Sequence, residues 1–354
     1  MVKRRTFLKS AGATGIVGIS SLAGCTSGDG DGDGDSGGGG GDGDSGGDTT
    51  TGTTATTEQM SNQLTFGNDG IINMGLSPSV PQSNLYVQYG PVRDYLETYF
   101  QENYGDRIPE NLVARMNISN NYAAVIQALG QGTADLAETG PFAAALGVEA
   151  DNVDIVLQRR GFGSWTYVSQ ISVAPDSDIG SLSDLSGEKV AFSDRLSTSG
   201  CLYPLYSMKT EGGIEIGNLP SGSGNEAGIE PVFAGGHTKS YSLLKQGQVA
   251  AAGHGGFVPG IVDDFSSNAT ALHEDEGLPR APIAVSTQLG DEEKNALQQA
   301  FLEGPDRIYY GADGEEGGDD DLWFNAVREA TVDDYQSVID VANELDVSQD
   351  IFQG

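Results

Sequence analysis

The stretch "DRLSTSGCLYPLYSMK", Asp194 to Lys209, sets Ser197, Thr198, Ser199 and Gly200 just before an apolar run with helical spacing. Hydroxyls and the unpaired N–H groups of a helix's first turn are donors without formal charge. Together they suit a tetrahedral oxyanion. Three other junctions share the pattern of a strand end, small or hydroxyl residues and a helix start; they lie near Asn120, Thr139 and His237. In α/β folds ligands gather at the carboxyl ends of strands, where helix N-termini favour anions. A plain helix cap is the competing reading of Ser197–Ser199.

Catalytic signatures are missing from the chain. It holds no G-x-S-x-G elbow, no H-E-x-x-H and no G-x-x-x-x-G-K-[ST]. Ser199 with His237 can be written as nucleophile and base, but no carboxylate is marked to orient the imidazole. The histidines are His237, His254 and His273, too few for a metal receptor site. No catalytic residue, metal or cofactor is therefore assigned. Cys201, in an apolar helix start, reads as a small packed side chain.

The N-terminus carries "KRRTFLK" (Lys3 to Lys9), a short apolar run and "LAGC" ending at Cys25. Paired arginines followed by Thr-Phe-Leu-Lys match a twin-arginine export signal, and Leu-Ala-Gly-Cys resembles a lipobox whose cysteine takes the lipid. Residues 1–25 are thus expected to be a signal peptide. Residues 26–63, a Gly/Asp/Ser/Thr tract, are expected to be a flexible tether with a reach of roughly 35 Å. The net charge is −33, and loss of four basic residues with the signal leaves 14 basic against 51 acidic residues, net −37. Such acidity suits molar salt, where screening is short-ranged, and excludes nucleic acid as a partner because no basic patch exists.

From Leu64 the chain alternates short apolar strands with amphipathic helices, which predicts an α/β fold. Strands are expected at "INMGLSP", "LVARMNI", "ADLAE", "YVSQISVAPDSDI", "KVAFSD", "IEPVFAGG", Val249–Gly253 and "APIAVS". A helix is expected from Val87 to Gly105, and the acidic tract from Gly311 to Asp321 reads as a solvated loop. About 290 residues exceed one comfortable core, so two lobes with a cleft between them are expected.

The segments "NYAAVIQALGQGTADLAETGPF", "YVSQISVAPDSDIGSLSDLSGEKVAFSDRLSTSGCLYP", "FAGGHTKSYSLLKQGQV" and "APIAVSTQL" resemble the phosphonate and phosphite substrate-binding proteins of ABC importers, from about Leu64 to Phe301. The resemblance implies a two-lobed periplasmic-binding-protein-like fold of the type with two crossovers: lobe 1 over 64–160, lobe 2 over 161–271, and a return segment over 272–354 mainly on lobe 1. It also implies a non-enzymatic, monomeric receptor for a phosphonate, phosphite or phosphate, serving a membrane permease and its ATPase. The receptor would sit outside the cytoplasm, on the outer face of the membrane, held by lipidated Cys25. Carried over by position, Ser197, Thr198, Ser199 and His237 hold the phosphonate oxygens, with Tyr122 and Tyr167 around them and Thr139 at the neighbouring junction. Members that bind aminoalkylphosphonates use carboxylates at positions that here are Phe257 and Ala281, so an aminated ligand is disfavoured. Arg280, beside the second of these, either adds positive charge to the site or lies on the surface, and the surface reading is preferred. A sulfonate or another small anion remains the alternative ligand within this class, and a sensor the alternative role.

Overall fold

Two sheets are built from one alternating chain. The computed structural model describes residues 63–64, 66, 70–79, 82–216, 228–318 and 320–353, so the twin arginines, Cys25 and the tether lie outside the described residues. Strands β1 (Ile71–Leu76), β2 (Val113–Ile118), β3 (Leu136–Glu138), β4 (Val153–Gly161), β10 (Pro282–Ser286) and β11 (Phe324–Glu329) form the first sheet, in the order β11-β4-β10-β3-β1-β2. Strands β5 (Thr166–Val173), β6 (Lys189–Phe192), β7 (Glu230–Phe233), β8 (Ala251–Gly255) and β9 (Thr270–Pro279) form the second, in the order β7-β6-β8-β5-β9. Central strands are buried end to end: every residue of β3, β8 and β10 is out of solvent. Their sequences accordingly run apolar or small without alternation, as strands covered on both faces do.

The longer helices are α1 (Gln82–Gln88), α2 (Gly90–Tyr104), α3 (Tyr122–Gly130), α4 (Pro141–Glu149), α5 (Tyr203–Thr210), α6 (His237–Lys245), α7 (Asp291–Leu302) and α8 (Gln336–Glu344). Helix α2 buries Val92, Leu96, Tyr99 and Phe100, the four- and three-residue spacing of one face. The expected helix from Val87 is broken at Tyr89, because Pro91 supplies no N–H and restarts the helix at its own first turn. Strand β8 lies two residues later than its expected position.

Each sheet is covered by its own helices, and one apolar cluster also joins the lobes. It runs from Tyr122, Ile126 and Phe142 on α3 and α4 to Phe192, Leu202 and Met208 of the second lobe, and to Val338 on α8. Helix α8 packs on α4 and also on α5 and β9, so the C-terminal segment touches both lobes.

The chain passes between the sheets twice. It leaves β4 through Phe162 and Gly163, both at positive φ, to reach β5, and returns from β9 to β10 through Arg280 and Ala281. The Gln158 Nε2 donates to Trp165 O at 3.3 Å on the first crossing and to Arg280 O at 3.4 Å on the second. Strand β9 continues to Pro279 and spans the boundary expected at residue 271, so the return begins at Pro282. The acidic tract is largely exposed, as a solvated loop should be, but its last residue is not: Asp321 is 3% exposed. Its carbonyl accepts from Gln88 Nε2 at 2.9 Å.

A candidate anion seat between helix N-termini

After β6 the chain turns on Asp194. Its Oδ1 accepts from Leu196 N at 2.8 Å, and its carbonyl accepts from Ser197 N at 3.0 Å. Ser197 is extended, and its Oγ accepts from Gly200 N at 3.1 Å, capping a π-helical turn over Thr198–Leu202 that continues into α5. The cap reading is therefore correct for Ser197. Glycine is required at 200, since a Cβ there would fall 1.9 Å from Ser193 Oγ. Thr198 does something different: its Oγ1 accepts from Phe142 N at 2.9 Å. Pro141 offers no N–H, so a hydroxyl from the second lobe caps the first free amide of α4 in the first lobe. The Ser199 carbonyl accepts from Ser169 Oγ at 2.9 Å. Ser197, Thr198 and Ser199 are each 2% exposed.

Thr139, Tyr122 and Tyr167 lie about this turn, and His237 is tied to it through one strand pair. Thr139, at the end of β3, is fully buried and its Oγ1 has no hydrogen-bond partner. Ser193 Oγ, beside Gly200, is likewise buried without a partner. A buried hydroxyl left unpaired costs about 1–3 kcal/mol. Between Thr139 and α4, a Cβ on Gly140 would stand 3.1 Å from Tyr122 Cε1 and 3.8 Å from Thr198 Oγ1. Gly140 is thus the point where the Tyr122 ring and the Thr198 hydroxyl close on each other. The Tyr122 amide is accepted by the Asp194 carboxylate, whose pKa burial pushes up. Tyr167, on β5, faces the hydroxyls of Ser199 and Thr198; burial raises its phenol pKa and those two hydroxyls oppose the rise.

His237 opens α6. Its Nδ1 accepts from Gly255 N at 3.0 Å, which leaves the proton on Nε2 as an available donor. Burial first, and His254 second, lower its pKa to about 3, so the ring is neutral at ordinary pH. Gly255 pairs with Ser169 across β8 and β5, and Ser169 holds the Ser199 carbonyl. The imidazole is therefore linked to the hydroxyl turn through one strand pair. Phe257 packs edge-on against His237 with ring centroids 4.9 Å apart. His273, flanked by Asp275 at 3.3 Å and Glu211 at 3.9 Å, lies on the edge strand β9, outside this cluster.

Sequence reasoning missed a buried ion pair beside Thr139. Arg159, 1% exposed on β4, makes an ion pair with Glu138 at 2.7 Å. It also donates to Tyr89 Oη at 3.2 Å and to Thr139 O at 3.3 Å. An arginine closing an apolar strand in "DIVLQRRG" is the signal that was available. Arg280 is a correction to the surface reading: it is 8% exposed. Its guanidinium carbon lies 5.4 Å from the ring centroids of both Phe162 and Tyr167 and 5.8 Å from that of Trp323. Cys201 is buried, as its apolar surroundings imply.

Two sheets joined by two crossings, with helix N-termini and hydroxyls meeting between them, define a two-lobed periplasmic-binding-protein-like fold. Residues 74–335 match the family described as "ABC transporter, phosphonate, periplasmic substrate-binding protein". The chain is 32% identical over 187 residues to the phosphate-import protein PhnD of Mycolicibacterium smegmatis, a match covering 51% of this chain and 53% of the relative. It thus spans about half the length of that curated relative. Among solved structures, a binding protein component of an ABC phosphonate transporter from Pseudomonas aeruginosa superposes with a TM-score of 0.61 at 19% identity, over 78% of this chain and 86% of that one. PhnD1 from Prochlorococcus marinus, in complex with methylphosphonate, superposes with a TM-score of 0.59 at 15% identity, over 78% and 98%. The chain belongs to the periplasmic substrate-binding proteins of phosphonate ABC transporters, a family of receptors rather than enzymes.

Proposed function

We propose that this protein captures a phosphonate-like oxyanion, a phosphonate, phosphite or phosphate, in the seat formed by Ser197, Thr198, Ser199, Thr139, Tyr122, Tyr167 and His237, and delivers it to a membrane permease driven by an ATPase. The observation that supports this reading is the meeting of buried hydroxyls from both lobes around Gly140 and Thr198, with the neighbouring Thr139 hydroxyl unpartnered. Neutral donors in a dry site bind an anion strongly and orient it by geometry. Ligand bridging the two lobes would favour the closed state by the contacts it makes only there. The relative named for phosphate import and the methylphosphonate complex support the same ligand class.

Titration calorimetry of the full chain at molar salt against phosphate, phosphite, methylphosphonate, 2-aminoethylphosphonate and sulfate tests this. Micromolar or tighter binding of one of the first three supports the seat. Silence across the panel from a folded sample removes it. Anchoring through lipidated Cys25 is part of the proposal, supported by the lipobox-like "LAGC" after the twin arginines. Among the described residues no helix is long and apolar enough to cross a membrane. A Cys25→Ser variant is expected in the medium rather than in the membrane fraction, and retention on the membrane would overturn the lipid anchor.

A further inference from the structure

Arg280 sits at the second crossing with its charge unanswered. Only Nε is hydrogen-bonded, to Thr166 O at 3.1 Å, and among the described residues no carboxylate pairs with the guanidinium. The side chain is 8% exposed. Desolvation lowers its pKa to about 10, opposed by Tyr167 and aided by repulsion from Arg159, the direction expected of a buried cation without an anion. Nearby Arg159 is neutralised by Glu138, whereas Arg280 has three aromatic rings and nothing negative. One of those rings is Tyr167, which faces the hydroxyls of Thr198 and Ser199.

Resting on the oxyanion reading of the seat, we infer that Arg280 forms a second, cationic subsite on the hinge side, and that the ligand class is a phosphonate carrying a carboxylate one or two carbons from phosphorus. A guanidinium presents a planar fork that matches a carboxylate bidentately. Its neighbour Ala281, and Phe257 beside His237, offer no acid to hold an amine. The ring faces of Phe162, Tyr167 and Trp323 keep the guanidinium plane in place with only one of its nitrogens committed. A carboxylate arriving with the ligand would pair a charge that folding alone leaves desolvated.

The test is calorimetric titration of the full-length protein, wild type and Arg280→Gln, with phosphonoacetate, methylphosphonate and 2-aminoethylphosphonate. The expected result is that wild type prefers phosphonoacetate to methylphosphonate by about tenfold or more, and methylphosphonate to the amine. Arg280→Gln should erase the first preference while retaining methylphosphonate binding, and Arg280→Lys should restore part of it. Equal affinities of wild type for phosphonoacetate and methylphosphonate overturn the subsite but leave the seat standing. Uniform weakening of all three ligands in Arg280→Gln also overturns it, because the arginine would then act on the phosphorus oxygens. Failure of wild type to bind any of the three while it binds phosphate or phosphite overturns this inference alone, and silence toward phosphate and phosphite as well removes the seat with it. If Arg280→Gln does not fold, the wild-type ligand order and the Arg280→Lys variant decide the matter.

Discussion

Arg159 and Arg280 stand at the two ends of the same crossing region and are treated in opposite ways. Arg159 spends its donors on Glu138, Tyr89, Thr139 and the Ala281 carbonyl. Arg280 spends one, on Thr166. Both are buried, so burial alone does not tell a structural cation from one kept for an incoming anion. The difference lies in how many of the five N–H groups the fold already occupies.

That contrast is easiest to break at its stronger end. Arg159→Met strands Glu138 as a buried, unpaired carboxylate and should destabilise the fold by about 3–5 kcal/mol, read from urea unfolding midpoints. Arg280→Gln removes a charge that has no partner and should leave the midpoint unchanged or raised; a loss as large as that of Arg159→Met would abolish the distinction. Next in size is Thr198→Val, which should weaken oxyanion binding by about 1–3 kcal/mol. The same change also removes the acceptor for Phe142 N, so closure of the lobes should weaken with it; an affinity equal to wild type would take Thr198 out of the seat.

The imidazoles extend the comparison to neutral groups. The folded pKa values of His237 and His254 lie at about 3 and about 4, both below the unfolded value of about 6.5. Their stabilising contribution is complete above the unfolded value and is lost as pH falls, because the unfolded chain takes up protons the native state refuses. Stability should therefore drop below about pH 6, by up to about 1.4 kcal/mol per pH unit for each histidine. Asp194, held upward by burial, opposes this at the acid end. His237→Asn should flatten the profile by one proton, and an unaltered slope would mean the native imidazole is already charged. The smallest effect is expected of an exposed ion pair: Lys189→Ala, breaking a 2.8 Å contact with Glu230, should change stability by less than about 1 kcal/mol.

The sequence disclosed what is local and periodic. Strand-to-helix junctions at Thr139, Ser197 and His237 were legible because small and hydroxyl residues interrupt apolar runs there, and the hydroxyl element carried the family likeness as well. The strands it did not disclose are β4, β9 and β11. Strand β9, "TALHEDEGLP", is an edge strand whose outward residues face water, so its acids mask the extended conformation that pairing with β5 imposes. Strands β4 and β11 carry the arginines Arg159, Arg160 and Arg328 among their apolar residues. The fate of a charge depends on partners far along the chain: Glu138 for Arg159, and for Arg280 the aromatic rings of Phe162, Tyr167 and Trp323. No window of ten residues contains that information. The same holds for Thr198, whose hydroxyl serves Phe142 from 56 positions away.

The amide of Gln158 grips both passages between the sheets, and the Tyr335 hydroxyl secures the Arg280 carbonyl from the C-terminal side at 2.9 Å. Two ribbons pinned by one side chain cannot swing independently. Torsion at Phe162 and Gly163 is thereby coupled to torsion at Arg280 and Ala281. The joint is a pair of straps buckled together rather than two loose ones.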